Sequence, residues 1–86
     1  MRELERMLKA LANGRRLLML KYLKRKERAS VGDIADEVKL SFKSTSRHLA
    51  VLTGAGLVEK EQESLIMWHS IAERRHKIFS EVLKHL

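Results

Sequence analysis

Apolar residues recur at three- and four-residue spacing at the start of the chain, at Leu4, Met7, Leu8 and Leu11. That period predicts a helix over about 2–12 with one apolar stripe. Asn13-Gly14 interrupts it. Asn13 suits the N-cap of a second helix, because its side-chain oxygen can accept an orphaned backbone N–H. The second helix runs to about Lys26, and Leu17, Leu18, Met19, Leu20, Tyr22 and Leu23 make it apolar nearly all round. Such a helix belongs in the middle of a domain. Lys24, Arg25 and Lys26 fall in its last turn, where positive charge complements the helix dipole.

Ser30-Val31-Gly32-Asp33 has the form of a capped helix start, and Ile34, Ala35 and Val38 give the short helix that follows an inner face. Lys39-Leu40 makes a tight connection. Ser41 is placed to cap a fourth helix, which continues to about Ala55 and is stopped by Gly54 and Gly56. Leu57–Glu61 and Leu65–Ser70 alternate as two strands do, with Gln62–Ser64 as the turn between them. A last helix is predicted from about Ala72 to His85, with Ile78, Phe79, Val82, Leu83 and Leu86 on one side.

Two capped helices joined by so short a turn predict a helix-turn-helix over 30–55, and the hairpin over 57–70 is its wing. The fold class is therefore mainly α with a small β-hairpin: a single winged helix-turn-helix domain over 1–86, with about five helices and a two-stranded wing. In a helix-turn-helix the second helix enters the DNA major groove. At 100° per residue, Thr45, Leu49 and Leu52 point inward, whereas Phe42, Lys43, Ser46, Arg47 and Ala50 point outward. Arg47 can grip guanine O6 and N7 or a phosphate. Lys43 adds a flexible contact, Ser46 a short donor and acceptor, and Ala50 lets the helix approach closely. The N-termini of the third and fourth helices, near Ser30 and Ser44, offer backbone N–H groups to phosphates.

Charge sharpens this picture. The chain has 86 residues and a net charge of +7, a balance that hints at nucleic acid or another anionic surface. Residues 15–28 carry seven basic side chains against Glu27 alone, and Lys21, Lys24, Arg25, Lys26 and Arg28 add to the field that would meet phosphates. Residues 41–56 hold Lys43 and Arg47 and no acid, whereas 57–70 hold Glu59, Glu61 and Glu63 against Lys60. If a dimer met ~6–10 phosphates, its affinity would fall by orders of magnitude with rising salt. The absence of cysteine excludes disulfides, thiol catalysis and thiolate metal sites. No apolar run approaches the ~18 residues of a membrane span, and charged residues break up the N-terminus, so a cytoplasmic location is expected. No nucleophile–base pair, paired-carboxylate signature or phosphate loop is apparent, so an enzyme is not expected.

Through Ala10-Leu11-Ala12-Asn13-Gly14-Arg15-Arg16, Ser30-Val31-Gly32-Asp33-Ile34-Ala35, Leu40-Ser41 leading to Ser46-Arg47-His48-Leu49, and Leu52-Thr53-Gly54-Ala55-Gly56-Leu57-Val58, the chain bears a resemblance to the arsenic-resistance-repressor (ArsR/SmtB) family of winged-helix regulators. The resemblance implies a homodimer joined through the first and last helices (1–12 and 72–86), which would bind a palindromic operator in double-stranded DNA and block transcription. By the same resemblance Val31, Phe42, Lys43, Ser46 and Arg47 occupy DNA-facing positions, and His48 lies beside the core face as a packing or hydrogen-bonding residue.

The chain departs from the family pattern in three ways. Segment 27–33 lacks the cysteines of one metal-site type, Glu73 and Arg75 replace an Asp-x-His pair, and His76 and His85 do not restore it, so neither metal nor cofactor is expected. Phe42 stands where a polar reader is common and is left open between a thymine methyl contact and packing on the third helix. The wing is acidic, with Leu65 where an arginine often reaches the minor groove, so it should add little DNA affinity or face away. Trp68 and Ile66 alternate with Met67 and His69; one pair faces the core, and Trp68 is read as packing.

A chain this short buries only about 60% of its unfolded surface, and its terminal helices carry more apolar surface than one copy can cover. Leu4, Met7, Leu8, Leu11, Ile78, Phe79, Val82, Leu83 and Leu86 are therefore assigned to a two-fold homodimer contact. The effector is left open between a small molecule, a protein and none. The competing reading is a winged helix used for protein–protein contact without specific DNA binding, which the acidic wing, Phe42 and Trp68 favour and the acid-free fourth helix opposes.

Overall fold

The computed structural model describes residues 1–86. Its elements run α1 (Arg2–Leu11), α2 (Gly14–Lys26), β1 (Arg28–Ser30), α3 (Val31–Val38), α4 (Phe42–Gly54), β2 (Val58–Glu63), β3 (Ile66–Ile71) and α5 (Lys77–Lys84). Five helices and an antiparallel sheet of order β1-β3-β2 make a winged helix-turn-helix.

The caps explain the helix boundaries. Asn13 Oδ1 accepts from the Arg16 amide at 3.0 Å, Ser30 Oγ from Asp33 at 3.2 Å and Ser41 Oγ from Ser44 at 3.0 Å. Each cap is worth about 1 kcal/mol. Lys39 takes the left-handed conformation at φ 57°, turning the chain from α3 to Ser41 within three residues. At the far end of α4, Gly56 at φ 75° lets its own amide reach Thr53 O and the Leu57 amide reach Leu52 O, both at 3.0 Å. That pair of bonds closes two orphaned carbonyls and aims the chain into the wing.

α2 packs against every element except β2, as its nearly continuous apolar surface requires. Met19, Leu20 and Leu23 of α2 belong to one core with Ile34 and Val38 of α3, Leu49 and Leu52 of α4, Val58 of β2 and Phe79 of α5.

Three expectations are corrected. The sheet has three strands rather than two: Arg28–Ser30 pairs with β3, Ala29 lying opposite His69. Three residues with one small apolar side chain are too short to show alternation. The wing turn is the two residues Ser64-Leu65, with Ser64 at φ 59°, and Gln62 and Glu63 remain in the ladder opposite Met67 and Ile66. The last helix begins at Lys77 rather than Ala72. Ala72 is buried and extends the strand pairing through its amide to Leu57 O at 3.0 Å, Arg75 Nε then closes on Ala72 O at 2.7 Å, and His76 Nδ1 caps α5 by accepting from Ile78.

Gly56 and Gly54 give opposite predictions. No atom lies within 4 Å of a Cβ added at either glycine, but only Gly56 has a positive φ. Gly56→Ala should therefore cost about 1–2 kcal/mol through the backbone alone. Gly54→Ala, in helical backbone, should gain about 0.4–1 kcal/mol. Urea midpoints that move in opposite directions would bear this out.

Candidate nucleic-acid interface

α4 presents two chemically different sides. Thr45, Leu49 and Leu52 are fully buried against the core. Helical periodicity then turns Phe42, Lys43, Arg47 and Ala50 to solvent, with Ser46 half-exposed. Neither Lys43 nor Arg47 forms an ion pair or a side-chain hydrogen bond, so both cationic heads are unspent. Phe42 is 63% exposed and stands outside the hydrophobic core at the start of the helix.

The N-terminal amides are distributed differently from the sequence reading. The Ser44 amide is taken by Ser41 Oγ and that of Thr45 by Ser41 O at 3.0 Å. The donors left at the start of α4 are those of Phe42 and Lys43. Ser30 Oγ is likewise committed to its cap, while Val31 is half-buried beside the start of α3.

Several cations outside α4 are already engaged. Arg28 pairs with Glu63 at 3.0 Å and lies 4.3 Å over the Trp68 ring. Arg25 lies 5.4 Å from the Tyr22 ring and 3.7 Å from Glu37, and Lys24 donates to Leu83 O at 2.8 Å. Of the five cations expected to add to the field from α2 and just after it, Lys21 and Lys26 alone have no such partner.

The sheet register sorts the wing. Glu59, Glu61 and Glu63 lie opposite Ser70, Trp68 and Ile66, so all three acids share one face with Trp68. The other face carries His69, which is buried, with Met67 and Ile71. Trp68 is therefore a half-buried packing residue under an arginine, outside the main core. Leu65 stands 96% exposed at the wing tip.

Arg15 and Arg16 are the anchors that the sequence reading passed over. Arg15 Nη1 reaches Val38 O at the end of α3 at 2.9 Å. The Arg16 guanidinium reaches Ala10 O at 2.6 Å, Lys9 O at 3.2 Å and His48 Nδ1 on α4 at 3.2 Å. An arginine three residues past a helix break, within reach of the open carbonyls of the preceding turn, was the available signal. His48 is thus a hydrogen-bonding residue, half-exposed between the two sides of α4.

The nine residues assigned to a subunit contact divide. Met7, Leu11, Phe79 and Leu83 are buried inside the single chain and give no surface to a partner, which corrects that part of the assignment. Leu8 and Ile78 stay exposed at 45% and 39%, and Leu4, Val82 and Leu86 are partly exposed. No helix is long and apolar enough to cross a membrane.

A sequence profile for the bacterial regulatory protein, arsR family, matches residues 13–60. The transcriptional activator HlyU of Vibrio cholerae is 36% identical over 80 residues, 93% of this chain and 73% of that protein. The structure of reduced HlyU from the same organism superposes with a TM-score of 0.82 and 29% identity, over 99% of this chain and 85% of that one. The homodimeric winged helix-turn-helix DNA-binding domain of a Mycobacterium bovis regulator superposes with a TM-score of 0.83 and 30% identity, over 98% of this chain and 74% of that one.

Two histidines make stability depend on pH. Burial, then Arg16 and Arg15, push His48 below its usual value near 6.5; burial, then Lys60 opposite it, do the same to His69 despite a backbone contact that opposes them. The folded state therefore favours the neutral rings. Their contribution is complete above the unfolded value and is lost as pH falls from about 6.5 through the lowered folded values. Urea unfolding at about pH 7.5 and 5.0 should show this loss. A His48→Asn/His69→Asn double variant should show a smaller pH dependence.

Proposed function

The chain belongs to the bacterial ArsR family of regulatory proteins, and from that premise we propose that it is a homodimer reading a two-fold operator with α4. At the coarser level it is a transcriptional regulator of the winged-helix DNA-binding type, and its relatives are regulators rather than enzymes. The observation that carries the finer reading is the outer side of α4: Lys43 and Arg47, exposed, unpaired and on a helix without a single acid.

In this reading α4 lies in the major groove. Arg47 reads guanine or holds a phosphate, Lys43 and the free amides of Phe42 and Lys43 meet the backbone, and Ser46 and Phe42 meet base edges, the ring against a thymine methyl. Val31, Ser30, Ser41 and Ser44 border the same side from the starts of α3 and α4; Ser30 and Ser41 accept as caps and keep their hydroxyl hydrogens for phosphate, as does Ser44, whose amide alone is spent on the cap. The acids of the wing keep that element from adding affinity, since phosphates repel them.

Two copies meet through Leu4 and Leu8 of α1 and Ile78, Val82 and Leu86 at the C-terminal end, the part of the terminal apolar surface that the single core leaves uncovered. A two-fold contact then sets two α4 helices about one DNA turn, ~34 Å, apart. Homodimerism of the Mycobacterium bovis domain supports this arrangement. The protein works in the cytoplasm by occupying promoter DNA and so represses. An effector would act by changing the subunit angle and hence the spacing of the reading helices.

Selection from a random duplex pool should return a two-fold symmetric consensus. Arg47→Ala should degrade it at particular positions, by about 1–3 kcal/mol per lost base contact. Lys43→Ala should weaken binding more evenly and flatten the salt dependence. An unselected pool, with retention of the protein on other proteins, would favour the contact-module reading instead. Reporter expression that rises on deleting the protein would bear out repression.

A further inference from the structure

Arg16 is the one side chain that bonds directly to both α1 and α4. It closes the last turn of α1 through Ala10 O at 2.6 Å and Lys9 O at 3.2 Å, and it reaches His48 Nδ1 at 3.2 Å. A second tie runs from Arg6 Nη1 on α1 to Gly54 O at the end of α4, at 3.2 Å. α1 is also the helix whose Leu8 stays exposed, with Leu4 half-buried one turn before it. The reading helix is therefore attached at its middle and at its end to the helix that would meet a second copy.

We propose that Arg16 and His48 are positioning residues for DNA reading: the guanidinium, through a neutral imidazole, fixes α4 against the end of α1, and operator affinity depends on that link. The proposal rests on the reading of α4 given above.

The link has a defined proton requirement. A guanidinium has donors only, so His48 Nδ1 must be the acceptor and the ring proton must sit on Nε2. A protonated ring would present a second donor to a cation, and the bond would be lost. The charged groups acting on the ring are Arg16 and Arg15 from α2. Across the cleft on α1 stand Arg2, Arg6 and Lys9, with Glu5 taken by Lys9 at 3.7 Å. Arg47 is the neighbouring cation on α4 itself, and no carboxylate of α3 or β2 acts on the ring. Acidification should therefore release the mid-helix tie and weaken specific binding. A bare added charge near phosphates would do the opposite and strengthen it, so the sign of the effect separates positioning from simple electrostatics.

The test uses the full chain and the duplex that wild type selects at about pH 7.5. Affinity is measured at fixed salt between about pH 7.5 and 5.5. Wild type should lose affinity by about two- to fivefold on acidification, less than the loss of a whole charge-assisted hydrogen bond because the lowered value of the His48 ring leaves part of it neutral at the lower pH. His48→Asn, whose amide oxygen can accept from Arg16 at every pH, should bind within about twofold of wild type at the upper pH and show a flat profile. Arg16→Gln should bind more weakly at the upper pH and also lose the profile, with its folding checked by thermal melting. His48→Asn stands as the decisive variant if Arg16→Gln does not fold. Wild-type affinity that rises in acid, or an acid loss that persists unchanged in His48→Asn, would overturn the proposal. Arg47→Ala keeps the two readings apart. If it binds the duplex as wild type does, α4 is not the reader; if it loses the duplex while the wild-type profile is flat, the reader stands and the link falls.

Discussion

Burial of one side of α4 is the constraint on which the rest of the molecule depends. Thr45, Leu49 and Leu52 are fully buried, and the two leucines share one core with Met19, Leu20, Leu23 and Ile34. A helix cannot rotate to hide a different stripe without emptying the first. Fixing those three residues therefore fixes Lys43 and Arg47 outward. The hydrophobic effect supplies the orientation, and electrostatics supplies what the orientation is for. Ser41, Lys39 and Gly56 then set where the helix starts, how sharply the chain enters it and how it leaves.

Charge is partitioned along the same lines. Both cations of α4 are without partners, while Lys24 and Arg25 of α2 and Arg28 of β1 are occupied by a backbone carbonyl, aromatic rings or carboxylates. The wing gathers Glu59, Glu61 and Glu63 on one face beside Trp68, which makes it a poor arm for a phosphate backbone. On the proposed reading, binding rests on one helix per copy, which makes pairing of two copies and the angle of α4 count for more. The arginine ties from α1 to α4 connect those two needs in one small region of the fold.

Most of the helical architecture was legible in the sequence, because caps and 3.6-residue periodicity are local signals. Asn13, Ser30 and Ser41 cap as their residue types suggest, and the three inward residues of α4 are those that spacing selects. What was not legible depends on distant partners. Arg28–Ser30 becomes a strand only because β3 is there to pair with it. Residues 72–76 hold no proline or glycine to mark a break before the apolar stripe of α5, yet the Ala72 amide is bound to Leu57 O as an extension of the strand pairing. The sequence could not say which of the terminal apolar residues the core would consume, since Met7, Leu11, Phe79 and Leu83 share a period with Leu4, Leu8, Ile78 and Val82. The outward side of α4 was read correctly in position. The commitment of Ser44 to a cap and the role of Arg16 needed coordinates.

The most direct measurement is a backbone amide titration by NMR, in which isotopically labelled protein receives increasing amounts of duplex DNA. The account predicts that the largest shifts fall at Phe42, Lys43, Ser46 and Arg47, with smaller ones at Val31. Shifts confined to the wing around Leu65 or to the terminal helices, with the amides of α4 unmoved, would contradict it.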